Sequence, residues 1–143
     1  MKAICLSDIH GNDVKYRKLC GYIKQTLPDA VFIAGDVLPN YYVTEPLEFI
    51  DDTLKPLLSD LKEEMKQAYP DIFLITGNDD AAVSCEHLRY LELKGLIHFA
   101  NKLVMDQKGY TVLGYPYVPP TPFLLKDWEK YDVSRYLPRD TVS

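Results

Sequence analysis

The sequence predicts an α/β protein whose first sheet is mainly parallel. Three apolar runs, Ala3-Ile4-Cys5-Leu6, Ala30-Val31-Phe32-Ile33-Ala34 and Ile72-Phe73-Leu74-Ile75, have the length and composition of buried strands. Segments with helical apolar spacing separate them, so successive runs read as βαβ units, which favour parallel pairing. Each run then delivers a polar cluster: Asp8-Ile9-His10-Gly11-Asn12, Gly35-Asp36 and Gly77-Asn78-Asp79-Asp80. Ligands of open α/β sheets bind outside the carboxyl ends of the strands, so this repeated syntax marks a candidate site.

The elements follow in order. Residues 2–6 are continuously apolar after Lys2, as expected of a strand covered on both faces. Gly11-Asn12 turns the chain, and Asn12 or Asp13 can cap a helix. Tyr16, Leu19, Cys20, Ile23 and Leu27 keep helical spacing until Pro28 stops it. Ala30 to Ala34 is the second strand. Residues 38–43 form a loop with Pro39, Tyr41 and Tyr42. Thr44 is an N-cap candidate and Pro46 a first-turn residue. Leu54, Leu57, Leu58, Leu61, Met65 and Ala68 make a helical stripe, which Pro56 should kink or split near Thr53. Residues 72–76 form the third strand. A helix over residues 84–94 ends at Gly95. Residues 96–99, 102–106 and 110–113 read as short strands, with Lys108-Gly109 turning between the last two. From Tyr115 to Ser143 the chain is irregular and rich in proline and aromatic residues.

Composition bounds the function. The chain has 143 residues, the size of one domain, and is 47% hydrophobic, enough for a packed core. The net charge of −5 argues against a nucleic-acid groove and against docking on an anionic membrane. Cys5, Cys20 and Cys85 make no C-x-x-C pair. They read as small core residues in a reducing compartment, Cys5 in a buried strand and Cys20 on an apolar helix face. The chain enters a strand at once, with no signal peptide, and no apolar run approaches a membrane span, so the expected location is cytoplasmic.

Asp8, His10, Asp36 and Asn78 carry the chemistry. Asp supplies hard oxygens, His a nitrogen suited to Zn, Fe, Mn or Ni, and Asn a neutral carbonyl oxygen. Asp36 has two oxygens and can bridge two cations. Each cluster alone also suits turns and helix caps; three together favour a metal site. Other polar residues have plainer readings. His87 is a solvent-facing helix residue and His98 an ordinary strand histidine. Asp51-Asp52 and Glu63-Glu64 are solvated helix face. Trp128 belongs to a covering loop, and Tyr41 and Tyr42 are loop residues near the Asp36 strand end.

The motifs Asp8-Ile9-His10, Gly35-Asp36 and Gly77-Asn78 resemble the D-x-H, G-D and G-N motifs of the calcineurin-like metallophosphoesterase superfamily. Within it the chain looks most like small prokaryotic phosphoesterases with a G-N-x-D form, a group that Gly114 and Thr121-Pro122-Phe123 also fit. The resemblance implies the N-terminal portion of an α/β/β/α sandwich. It implies Asp8 and His10 as ligands of a first divalent metal, Asp36 as the bridge and Asn78 as a ligand of a second. The activity implied is hydrolysis of phosphate mono- or diesters, with a phosphorylated small molecule or nucleotide as substrate.

Two departures stand out. Many members carry a His directly after the G-N pair, as an acid or transition-state stabiliser; this chain has Asp79. As a catalytic group, Asp79 needs burial or a neighbouring carboxylate such as Asp80 to raise its pKa. The family's later His and G-H-x-H motifs are also missing, so the expectation is a single, incomplete domain over residues 1–143. Two alternatives come from other classes. One is a binding module that keeps the fold without catalysis. The other is a receiver-like phospho-acceptor, which needs a Lys at a later strand end that this sequence does not offer. An unfinished domain would also expose apolar strands and could form a homo-oligomer.

Overall fold

The structure is a computed structural model that describes residues 1–40, 44–102, 104–107 and 109–131. Four strands, β1 (Ala3–Leu6), β2 (Ala30–Ala34), β3 (Asp71–Ile75) and β4 (His98–Phe99), form one parallel sheet in the order β1-β2-β3-β4. The first crossover is α1 (Asp13–Thr26). The second holds α2 (Pro46–Phe49), a π-helical turn over Ile50–Leu54 and α3 (Lys55–Met65). The third is a 3₁₀ turn at Ala82–Ser84 followed by α4 (Cys85–Leu93). A separate antiparallel hairpin pairs β5 (Val104–Gln107) with β6 (Tyr110–Leu113). The turn residue Lys108 lies outside the described residues, as do Tyr41, Tyr42 and residues 132–143.

Strands laid down in sequence order, joined by right-handed crossovers, place every crossover on the same face. Ile4 and Leu6 of β1, Val31 and Ile33 of β2, and Ile72 and Leu74 of β3 therefore point into one core with Tyr16, Ile23, Leu54, Leu58 and Leu88 from the helices. Full burial of each such side chain contributes about 1.5–3 kcal/mol. The opposite face carries Cys5, Phe32, Phe73 and His98 in a row set by the parallel register. Phe32 stacks on Phe73 at 5.1 Å, and Phe73 on His98 at 4.9 Å.

That second face corrects the expectation for the first strand. β1 alternates exposed and half-buried residues, and Cys5 is exposed. A continuous apolar run cannot tell a strand covered twice from one covered once. Thiol chemistry checks this. Cys5 should react with an aromatic disulfide reagent within seconds to minutes. Cys20, buried and with its thiol pushed up by that burial, should react only on unfolding. Protection of Cys5 in the native protein would mean that something covers this face.

Local details follow from named residues. Asn12 caps α1, its side chain accepting from Lys15 N at 3.0 Å. Leu27 is not on the buried stripe; it is the exposed left-handed cap that ends α1. Pro56 cannot donate an N–H, so the ladder before it slips to a wider bond from Lys55 N to Ile50 O. This π-helical turn is the split expected near Thr53. Thr44 does not cap the helix; Glu45 does, without a side-chain bond, and Pro46 follows in the first turn. Ala68 lies in an exposed 3₁₀ turn beyond α3. Only His98 and Phe99 of residues 96–99 join the sheet, and the hairpin's first strand starts at Val104 rather than at residue 102. Among the described residues no helix is long and apolar enough to cross a membrane.

Candidate metal centre

The loops after β1, β2 and β3 meet at the carboxyl edge of the sheet. Asp8 N donates to Gly35 O (3.2 Å), His10 N to Asp36 O (2.8 Å) and Gly11 N to Val37 O (3.0 Å), which zips the first loop to the second. Gly35 and Gly77 let the second and third loops touch. A Cβ on Gly77 would stand 2.5 Å from Asp36 N, and one on Gly35, whose φ is +91°, 2.9 Å from Gly77 Cα. No larger residue fits between these backbones.

Asp80 completes the clamp. Its buried carboxylate accepts from Val37 N (3.0 Å), Leu38 N (2.8 Å) and Gly77 N (2.9 Å), so one side chain holds the loops after β2 and β3 together. Burial pushes its pKa up to about 6 against the lowering effect of those bonds, with the Asp36 charge adding to the rise. Asp80 therefore faces inward to the loop backbones, away from the service to Asp79 that its neighbouring position suggested. Tyr16 supports the same loop, its buried hydroxyl donating to Val37 O at 3.0 Å. Asn101 does so for β3: its Oδ1 accepts from Thr76 N (2.9 Å) and its Nδ2 donates to Thr76 Oγ1 (2.7 Å). Asn101 was missed in the sequence because a lone Asn after a short strand reads as a turn residue.

Held this way, Asp8, His10 and Asp36 each offer a ligand atom within 4.8 Å of the others. Asp8 and His10 are exposed and Asp36 half-buried, so the cluster opens to solvent. All three take left-handed backbone conformations, with φ of 57°, 52° and 51°. For residues other than glycine this costs on the order of 1–3 kcal/mol each and clusters at functional sites. Asp79 lies beside the trio, with Oδ2 3.7 Å from His10 Nδ1. Its backbone N–H donates to Asp36 Oδ1 at 3.0 Å. Asn78 joins through Asp79, its Nδ2 donating to Asp79 Oδ1 at 2.7 Å. Two carboxylates and one imidazole, accessible and converging, match the donor set of a Mn-, Zn- or Fe-type cation. The other histidines are elsewhere. His87 Nδ1 sits 3.1 Å from Asp51 Oδ2, and His98 Nε2 3.2 Å from Asp71 Oδ1.

The stretch after the hairpin is an ordered strap over this edge. Val118 and Glu129 form a bridge, and the buried Trp128 donates from Nε1 to Asp80 O at 2.5 Å. Glu129 Oε1 ties the loop within it, accepting from Thr121 N (2.9 Å), Thr121 Oγ1 (2.5 Å) and Lys126 Nζ (2.7 Å). Lys126 first, and then Thr121, hold the Glu129 carboxyl down to about 2. A lowered folded-state pKa means that the tie is intact above the ordinary value of 4.5 and is lost as pH falls toward about 2. The emission of Trp128, the single tryptophan, should therefore shift to longer wavelength over that range. Glu129→Gln should show part of the shift already at pH 7; identical emission from the two proteins would remove Glu129 as the tie.

An open parallel sheet with a carboxylate–imidazole cluster at its carboxyl edge defines an α/β protein with a candidate metal site. The family model for calcineurin-like phosphoesterases matches residues 1–140, and the chain belongs to that family. A solved crystal structure shares the fold, with a TM-score of 0.51 and 17% identity, the match covering 76% of this chain. The chain spans about half, 49%, of the length of that structure, in keeping with the N-terminal part of the metallophosphoesterase fold. No curated protein matches the chain.

Proposed function

We propose that this chain carries the first half of a dinuclear phosphoesterase site. The observation that supports the reading most is the 4.8 Å convergence of Asp8, His10 and Asp36. In this reading Asp8 and His10 would hold one divalent cation, Asp36 would be shared with a second, and Asn78 would offer its side-chain oxygen to the second. Such cations supply Lewis-acid stabilisation of phosphoryl charge and activation of water. The chain's own residues do the rest. Asp79 N–H fixes the Asp36 carboxylate. Lys15 Nζ, donating to Asp8 O at 2.9 Å, fixes the first loop. Asp79 itself stands where many relatives carry His, with its Oδ2 3.7 Å from His10 Nδ1.

The second cation would have two ligands among the described residues, Asp36 and Asn78, so this chain by itself should turn over slowly. Its hydrolysis of p-nitrophenyl phosphate and of the bis-p-nitrophenyl diester, with Mn²⁺ added, tests the reading together with calorimetric titration of Mn²⁺. Binding of Mn²⁺ with weak, metal-dependent turnover is expected. No binding of Mn²⁺, Zn²⁺ or Fe²⁺ would sink it. Tight binding with no turnover of either ester would favour the alternative, a module that keeps the fold for binding. Asp79 in place of His, with one carboxylate oxygen already engaged by Asn78, is the feature that supports that alternative.

A further inference from the structure

A cavity of about 720 Å³ opens directly beside the metal cluster. Asp79, whose Oδ2 lies 3.7 Å from His10 Nδ1, is part of its lining, so the cavity adjoins the site where a phosphate would sit. Its far wall is the tip of the strap, Pro122, Phe123, Leu124 and Leu125, and Pro46 and Ala81 add apolar surface from the body. Among the described residues no lysine or arginine lines it. Among the described residues the one charged group in its lining is Asp79, which would repel a further phosphate.

The tip is unusual for an exposed turn. Leu124 is 88% exposed and Phe123 54%, although each would gain by burial. They do not dangle from a loose segment. The Val118–Glu129 bridge closes the loop at its base, the Thr121–Glu129–Lys126 cluster braces it, and Trp128 anchors it to Asp80. A compact loop with its ends tied and its tip apolar holds those side chains in place before any ligand arrives, which lowers the ordering cost of binding.

We propose that the strap tip is the site for the ester group of the substrate, and that it selects phosphoesters of apolar, ring-sized alcohols or phenols over those of small alcohols. The inference rests on the phosphoesterase reading for the position of the phosphate. The apolar contact itself needs no cation. Phe123 and Leu124 are specificity residues in this assignment; the cluster of Asp8, His10 and Asp36 is untouched by it.

Three probes test the proposal on the intact chain: 1-naphthylphosphonate, methylphosphonate and 1-naphthol. With Mn²⁺ present, calorimetry should show 1-naphthylphosphonate binding about tenfold or more tightly than methylphosphonate, the discrimination an apolar pocket gives for a ring-sized group. In the double variant Phe123→Ser, Leu124→Ser that ratio should fall several-fold, while methylphosphonate, whose one methyl has little apolar surface to lose, binds as before. Both side chains are exposed, so the variant should fold, and unchanged Trp128 emission would verify it. Equal affinities in the parent protein, or a ratio that survives the double substitution, would overturn the proposal. If neither phosphonate binds, the metal reading fails, and 1-naphthol decides separately. Naphthol-induced NMR shifts at Ala81 and Leu125, which line the same cavity and are present in both proteins, should shrink in the variant; no naphthol shift at the tip would overturn the proposal.

Discussion

Replacing Asp80 by alanine should destabilise the protein by about 3–5 kcal/mol, the largest effect expected of any single polar substitution here. The carboxylate is fully buried and accepts three backbone N–H bonds, from Val37, Leu38 and Gly77. Alanine leaves all three donors without an acceptor, in a site too enclosed for water to serve each of them. Asp80→Asn should cost less. An amide oxygen in the place of Oδ2 can still accept from Val37 and Gly77, but its NH₂ would face the Leu38 N–H. Urea denaturation of the three proteins measures the order. An alanine variant within 1 kcal/mol of the parent would show that the clamp contributes little. Trp128 bonds to the backbone carbonyl of Asp80, which alanine keeps, so loss of the protected tryptophan emission in this variant below the denaturation midpoint would report a shift of the loop itself. Loss of both signals together would make loop docking and strap docking one cooperative unit.

Asp36→Asn should lower Mn²⁺ affinity on the order of 100-fold, and Asp8→Asn similarly. Asparagine keeps an oxygen to accept from Asp79 N–H, so the loop stays in place while one negative charge leaves the cluster. The same substitution should leave the cation-free protein no less stable, and up to about 1 kcal/mol more so, because Asp8 and Asp36 repel across a short gap. That opposition between binding and stability is the signature of a site built for a cation. Calorimetric titration with Mn²⁺ and urea melts in EDTA give both halves. Unchanged affinity would remove Asp36 from the site; lowered affinity accompanied by a large loss of stability would make its role structural instead. With lowered affinity and no loss of stability, the left-handed backbone at Asp8, His10 and Asp36 would be read as stability given up to aim these side chains.

The amino-acid sequence by itself determined the strands and the ends at which chemistry gathers. Apolar runs flanked by helical periods specify βαβ units through burial alone, and right-handed crossovers leave few ways to connect them. The family was legible for the same reason: its motifs lie at strand ends, where spacing along the chain maps onto spacing in the sheet. Pro56 announced the break before α3 because a missing N–H is a local fact. Only the tertiary structure decided which face of the sheet is covered. Burial of β1 depends on what packs against it from elsewhere, and Cys5 proved exposed. Only the tertiary structure turned Asp80 away from Asp79 and into the loop backbones, because a hydrogen bond across 42 residues leaves no trace in local spacing. The strap shows the same division. Its prolines and aromatic residues read as irregular chain, and they are irregular. What orders residues 118–130 is a buried indole N–H meeting the Asp80 carbonyl and a carboxylate shared by Thr121 and Lys126, contacts that exist only once the chain has folded.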